Sequence, residues 1–203
     1  MPTVLIVDDQ ERVAKAIALL LDLHGIDSIS ADGPDEALAA LHGQPVDLVI
    51  QDMNFTPGET SGDEGLVLFR AIRSEDPGIP VLLITAWASV ETAVRLMKEG
   101  ASDYVQKPWD DDKLVAGVRN LLRLRALEVE NRRLKSDRRR IREELAERYD
   151  LSALVYASST MHDVVSLAVR VARADVPVLI TGANGTGKEK LAEVIQANSP
   201  RRG

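Results

Sequence analysis

The sequence predicts an α/β protein in three parts. A parallel, doubly wound domain of five strands occupies residues 1–120, a long helical linker 121–150, and a segment built around a glycine-rich loop 151–203. Three observations carry that prediction. Five short apolar runs alternate with amphipathic stretches, the pattern of strands joined through crossover helices. Four of the runs end in polar groups, at Asp8 and Asp9, Asp52, Thr85 and Lys107, which belong at the ligand-binding edge of such a sheet. From Asp110 the chain turns charged and helical, with no stop signal until about Tyr149.

The first strand is the apolar run over residues 3–7. Residues 11–23 then set Val13, Ile17, Leu20 and Leu21 on one helical face, and His24 and Gly25 close it. A short strand over 26–31 precedes a helix started by Gly33 and Pro34 and stopped by Gly43. Residues 46–54, VDLVIQDMN, supply Val46, Leu48, Val49 and Ile50, a strand apolar on both faces as a central parallel strand must be. The glycines, proline and small polar residues of 55–65, FTPGETSGDEG, describe a loop. The next helix, 66–74, buries either Leu66, Phe69 and Ile72 or Val67 and Ala71. Pro77 and Gly78 break it before a strand over 81–84. Ser89 caps a helix that Gly100 stops near Glu99, and 103–106 is the fifth strand.

Composition narrows the function. With 45% hydrophobic residues the chain can build a core, and with 3% aromatics Ala, Val, Leu and Ile must fill it. The absence of cysteine excludes disulfides and thiolate metal sites and suits a reducing cytoplasm. The longest apolar stretches, 80–88 and 176–180, fall short of the roughly 20 residues a membrane span needs. No basic region precedes the first apolar run, so the start reads as a strand and not as a signal peptide. A net charge of −7 argues against a dominant nucleic-acid surface.

Asp8, Asp9 and Asp52 on one sheet edge would repel one another unless a cation neutralised them. Hard oxygen ligands suit Mg²⁺, which shares its coordination sphere with phosphate. A lysine and a threonine hydroxyl beside them give a bound phosphoryl oxygen a charge and a donor. An aspartate so placed can act as nucleophile and form an acyl phosphate. Any one of these residues alone would be read as a turn or cap residue; it is their joint arrival that points to chemistry.

The stretches VLIVDD, the Asp52 strand, LLITAW and DYVQKPW resemble the receiver domain of two-component response regulators, over residues 3–120. That resemblance implies a flavodoxin-like strand order and a phosphoryl group passed from a histidine kinase to Asp52. It implies that Asp8 and Asp9 hold Mg²⁺ with Asp52 and the backbone carbonyl of Asn54, and that Thr85 and Lys107 bind phosphoryl oxygens. Tyr104 matches the family's switch aromatic, which swings inward when Thr85 moves; otherwise it is a strand residue packed on the helix 89–99. The loop 55–64 is several residues longer than the usual Met-Pro-Gly turn and carries Glu59, Asp63 and Glu64. It either acidifies the pocket mouth or is a surface insertion, the reading preferred here.

In the linker, Val115, Val118, Leu121 and Leu122 can pack on the sheet. Beyond them Leu124, Asn131, Arg138 and Leu145 fall at a, and Leu127, Leu134 and Ile141 at d, of a heptad seam. Asn131 at an a position fits a parallel two-stranded coil, so a homodimer through the linker is expected. The alternative is a single solvated helix laced by pairs such as Glu128 with Arg132. The arginines over 132–142 are diluted by acidic neighbours and read as a solvated face.

In the last segment, a helix over 158–174 with Met161, Val164, Val165, Ala168, Val169 and Val171 inside is followed by an apolar strand over 177–180. Gly182, Ala183, Asn184, Gly185, Thr186, Gly187 and Lys188 then form the phosphate loop GANGTGK, opening the next helix. Glu189 stands where a Ser or Thr for Mg²⁺ is usual. This segment resembles, over 154–202, the start of the sigma-54-interacting AAA+ domain of nitrogen-regulatory-protein-C-type activators, which also have Glu after the lysine. Tyr156 and Asn184 depart from the glycine and serine common there. The resemblance implies ATP at this loop, on an incomplete site, because the sequence contains no Walker B strand, sigma-contacting loop, finger arginine or DNA-binding helices. The chain is therefore expected to be a truncated product or a fragment: a phosphoacceptor signalling protein and not an enzyme, reaching sigma-54 RNA polymerase and DNA only through a longer form. Two rival readings are an ATP-binding module with a passive receiver, and a phosphate-independent dimerisation module.

Overall fold

The computed structural model describes residues 2–55, 63–85, 97–174 and 176–200. The chain divides into two compact units, Met1–Glu130 and Asn131–Gly203.

The first unit contains strands β1 (Thr3–Val7), β2 (Asp27–Ala31), β3 (Leu48–Asp52), β4 (Val81–Thr85) and β5 (Asp103–Gln106), with helices α1 (Glu11–Asp22), α2 (Pro34–Gly43), α3 (Asp63–Glu75) and the start of α4 (Asp111–Arg148). The sheet order is β2-β1-β3-β4-β5 and every pairing is parallel. The strands are short and their side chains alternate, so the three central strands β1, β3 and β4 each feed two cores. Leu5, Val7, Val49 and Leu83 pack with Ala37, Leu66, Leu68, Phe69 and Ile72 from α2 and α3. Val4, Ile6, Leu48, Ile50, Leu82 and Ile84 pack with Ala14, Ile17 and Leu21 of α1 and Leu114, Val118 and Leu121 of α4. Of the two faces proposed for the third helix, the one carrying Leu66, Phe69 and Ile72 is inside, and Val67 is 66% exposed.

Several boundaries differ from the sequence reading. β3 begins at Leu48, although Val46 before it is buried. α3 starts at Asp63, inside the stretch expected to be loop. Asp63 and Glu64 give that helix an acidic first turn, and the Gly65 N–H is capped by the Met53 carbonyl at 3.1 Å, which offsets the poor helix propensity of glycine. The helix expected over 89–99 and the loop residue Glu59 lie largely or wholly outside the described residues.

α4 runs for 38 residues, with Asp111 and Asp112 in its first turn and the Asp110 carboxylate accepting the Lys113 N–H at 2.9 Å. Its buried residues are Leu114, Val115, Val118 and Leu121. Most apolar residues of the predicted heptad seam stand out in solvent: Leu124 is 57% exposed, Leu127 60%, Leu134 48% and Ile141 47%, whereas Leu145 is half-buried.

In the second unit, α5 (Ser159–Val171) is capped by Ser158, whose hydroxyl accepts the Met161 N–H, and α6 (Lys188–Ala197) follows the glycine-rich loop. Val165, Ala168, Val169 and Val194 are buried, whereas Val164, expected inside, is 39% exposed. The strand expected over 177–180 is not formed: those residues are irregular, and Leu179 is 87% exposed. An isolated strand leaves its backbone unpaired, and no ladder partner lies beside it among the described residues of this unit. No helix among the described residues is long and apolar enough to cross a membrane.

Candidate functional site

Because all five strands run the same way, their carboxyl ends share one edge. Register then decides which side chains meet there. Val7 pairs with Gln51, Asp52 with Ile84 and Thr85 with Gln106, so Asp8, Asp52 and Thr85 end neighbouring strands. All three are buried, at 3%, 6% and 7% exposure. The Lys107 N–H donates to the Thr85 carbonyl at 2.8 Å, carrying the pairing of β4 and β5 one residue further and delivering the lysine to the same edge.

The Lys107 ammonium donates to Asp8 Oδ2 at 2.8 Å and to Asp52 Oδ2 at 3.0 Å. Backbone N–H groups take the remaining oxygens of these two carboxylates: Gln10 donates to Asp8 Oδ1 at 2.9 Å and Met53 to Asp52 Oδ1 at 2.8 Å. Oxygens of Asp8, Asp9 and Asp52 lie within 4.8 Å of one another. Asp9 Oδ1 is buried and has no hydrogen-bond partner among the described residues.

Three carboxylates thus face one ammonium, and the electrostatics record the imbalance. Burial pushes the Asp52 carboxyl above its ordinary value, against the hydrogen bond and charge of Lys107 that pull it down. Burial also pushes Asp9 up, reinforced by the charge of Asp8. Burial works against the Lys107 ammonium, yet its hydrogen bonds to Asp8 and Asp52 and their charges hold its pKa above the ordinary lysine value. An orphaned buried carboxylate oxygen within a set of hard oxygen donors fits a hard divalent cation such as Mg²⁺.

Of the residues singled out in the sequence, Asp8, Asp9, Asp52 and Lys107 are brought together directly, with Thr85 on the same edge. Asn54 is half-buried, two residues past Asp52. Tyr104 lies on β5 with 43% of its surface exposed. The sequence reading passed over Gln51 and Gly65, and placed Glu64 only in the acidic loop before the helix. Gln51 is fully buried and donates from Nε2 to the Gly65 carbonyl at 2.6 Å, and the Phe55 N–H donates to Glu64 Oε2 at 2.9 Å. A polar side chain within the apolar run of β3 was the available signal.

The glycine-rich loop forms a separate feature in the second unit. Gly185 and Gly187 have φ of +78° and +82°, a left-handed turn that glycine adopts without strain and that leads directly into α6. Lys188 donates to the carbonyls of Gly182 and Ala183 at 2.9 and 2.7 Å, and the Thr186 hydroxyl donates to Ala183 at 2.9 Å. Glu189 lies in the first turn of α6, and Asn184 is exposed. Tyr156 shares a hydrogen bond of 3.0 Å with His162 Nδ1, and Arg142 stacks over its ring at 5.3 Å.

Comparison with known proteins matches residues 4–119 to the response regulator receiver domain and residues 154–203 to the sigma-54 interaction domain. The C4-dicarboxylate transport transcriptional regulatory protein DctD of Rhizobium meliloti is 33% identical over 99% of this chain and 41% of its own length. The regulatory protein AtoC of Escherichia coli is 32% identical over 98% of this chain and 40% of its own. The chain therefore spans about two-fifths of the length of these relatives. Among solved structures, NtrX from Brucella abortus in complex with ADP aligns with a TM-score of 0.61 at 29% identity, covering all of this chain and 41% of that one. A receiver protein from Pseudomonas putida aligns with a TM-score of 0.53 at 36% identity, over 59% of this chain and 96% of its own.

Proposed function

Since this chain belongs to the response regulator receiver family and carries a sigma-54 interaction segment behind the receiver, we propose that it is a phosphorelay response regulator whose phosphoacceptor is Asp52. The observation that carries the reading is the bridging of Asp8 and Asp52 by Lys107 within a cluster of three carboxylates. Asp8, Asp9, Asp52 and the backbone carbonyl of Asn54 would hold Mg²⁺, which supplies positive charge against the phosphoryl oxygens. A carboxylate oxygen of Asp52 attacks phosphorus while the bond to the donor histidine of a sensor kinase breaks, and its electron pair leaves with the imidazole nitrogen. Lys107 keeps Asp8 as a partner and turns toward the new phosphoryl oxygens, and the Thr85 hydroxyl donates to another. Tyr104 is the aromatic that follows Thr85 inward.

Residues 1–120 form the receiver in this reading, 121–150 a dimerising linker and 151–203 a nucleotide-binding segment. Gly182, Asn184, Gly185, Thr186, Gly187 and Lys188 would cradle the phosphates of ATP, with Glu189 opening the helix behind them. Control of sigma-54-dependent transcription in the cytoplasm is the output we assign to the whole regulator.

The test is incubation with Mg²⁺ and a small phosphodonor. Wild type is expected to take up an acid-stable, base-labile phosphoryl group and Asp52→Asn none; equal labelling of both proteins overturns the assignment. A second reading, nucleotide binding as the main activity, draws on the left-handed glycines that lead into α6. It requires tight ATP binding that Lys188→Ala abolishes while phosphodonor labelling of wild type is absent.

A further inference from the structure

Gln51 is 0% exposed, within an apolar run of the sheet. Its strand neighbours in register are Val7 and Leu83, and Val49 on β3 and Met53 just past its end flank it in the chain; all four belong to the core under α2 and α3. An amide in such surroundings is costly to bury unless it is used. Its use is directional: Nε2 donates at 2.6 Å to the carbonyl of Gly65, in the first turn of α3, while Oε1 is buried with no hydrogen-bond partner among the described residues, so the Nε2 bond is what holds the amide in place.

Two further bonds lie beside it. The Gly65 N–H donates to the Met53 carbonyl at 3.1 Å, and the Phe55 N–H to Glu64 Oε2 at 2.9 Å. Residues 51, 53 and 55 are thereby tied to residues 64 and 65 at alternate positions along the chain. The fit admits no side chain at 65, where a Cβ would stand 2.5 Å from Met53 Cα and 2.7 Å from the Met53 oxygen. The residues between the tied positions are Asp52 and Asn54, the phosphoacceptor and the carbonyl assigned to the metal.

We propose that Gln51 is a positioning residue: through its bond to Gly65 it fixes the end of β3 against α3, and so fixes where Asp52 and Asn54 present oxygen to the divalent cation. The clamp also explains how this chain carries a longer segment between β3 and α3 than the usual short turn. Its ends are tied by described residues on both sides, so the acceptor strand does not depend on the length between them. A purely apolar residue at 51 would fill the core but would set no direction. The inference rests on the phosphoacceptor reading of the pocket.

Gln51→Met, similar in length but without the amide, tests it on the full chain. Mg²⁺ titration by calorimetry is paired with phosphodonor labelling across Mg²⁺ concentrations, and folding is checked by thermal melting. Half-saturation by Mg²⁺ is expected to rise about tenfold, with a smaller fall in labelling rate at saturating Mg²⁺. A folded variant whose Mg²⁺ half-saturation stays within about twofold of wild type overturns the proposal. If the variant does not fold, wild type decides by nuclear magnetic resonance. The Gln51 side-chain amide and the Gly65 N–H donate to backbone carbonyls and not to the carboxylates, and both are expected to shift on adding Mg²⁺; no shift overturns the proposal. A wild type that binds no Mg²⁺ and takes no label overturns instead the reading of the pocket itself.

Discussion

Lys107 Nζ lies 2.8 Å from Asp8 Oδ2 and 3.0 Å from Asp52 Oδ2, so one ammonium joins the carboxylates that end the first and third strands. The lysine side chain is 16% exposed, and the two carboxylates 2% and 7%. Removing it leaves buried charges uncompensated. Lys107→Met is expected to lose about 3 kcal/mol of unfolding free energy in chelator at neutral pH. Mg²⁺ should restore much of it by binding the carboxylates of the native state alone. Urea denaturation with and without Mg²⁺ measures both, and a variant as stable as wild type in chelator would refute the bridging role.

Asp9 and Asp52 predict a pH dependence. Both carboxyls sit above the ordinary value of 3.8 in the folded protein, mainly because they are buried. A raised carboxyl pKa means that ionisation opposes folding. The penalty is full above the folded pKa and disappears as pH falls through it toward 3.8. In chelator at neutral pH, Asp9→Asn should therefore melt a few degrees above wild type, and this advantage should shrink as pH is lowered into the carboxylate range. Mg²⁺ should reverse it, because wild type then gains a ligand that the amide variant lacks. An advantage independent of both pH and Mg²⁺ would count against this account.

Leu127 and Leu134 are 60% and 48% exposed on the long helix, in steps that keep them on one seam. A helix leaving a domain with its leucines in water gains by burying them against a second copy. Wild type should be dimeric by multi-angle light scattering, and the double change Leu127→Glu, Leu134→Glu monomeric. A monomeric wild type removes the coiled-coil assignment.

Arg125 is 11% exposed and pairs through Nη2 with Asp76, while its Nε and Nη1 are buried without a hydrogen-bond partner among the described residues. Asp76 is 34% exposed and also accepts the Gly78 N–H at 2.9 Å. Losing the arginine thus strands no deeply buried charge and relieves two unsatisfied donors. Arg125→Met should be as stable as wild type to within about 0.5 kcal/mol, or more stable. A loss above about 2 kcal/mol in urea denaturation would show that the pair stabilises the receiver.

The acidic pocket was legible because its residues end apolar runs, and the five-strand alternation because period and breakers agree along the chain. The clamp around Gln51 was not. A glutamine beside an aspartate looks like strand-end polarity until register shows it facing Val7 and Leu83. Gly65 looked like loop composition because its value lies in the Met53 backbone it touches, twelve residues earlier in the chain. The strand expected over 177–180 failed for the opposite reason: its apolar composition is right, but a strand exists through its pairing.

The sequence by itself determined the two-sided parallel sheet, the side chains offered at its carboxyl edge, the long charged helix and the glycine turn that opens α6. These follow from local periodicity and from residue chemistry, which need no partner to be read. Tertiary structure alone decided that Lys107 bridges Asp8 and Asp52, that Asp9 keeps a buried oxygen without a partner among the described residues, and that Gln51 ties the acceptor strand to α3. The bridge and the tie are contacts between residues distant in the chain, the orphaned oxygen depends on which such contacts form, and strand register sets the distances on which hydrogen bonds and charges act.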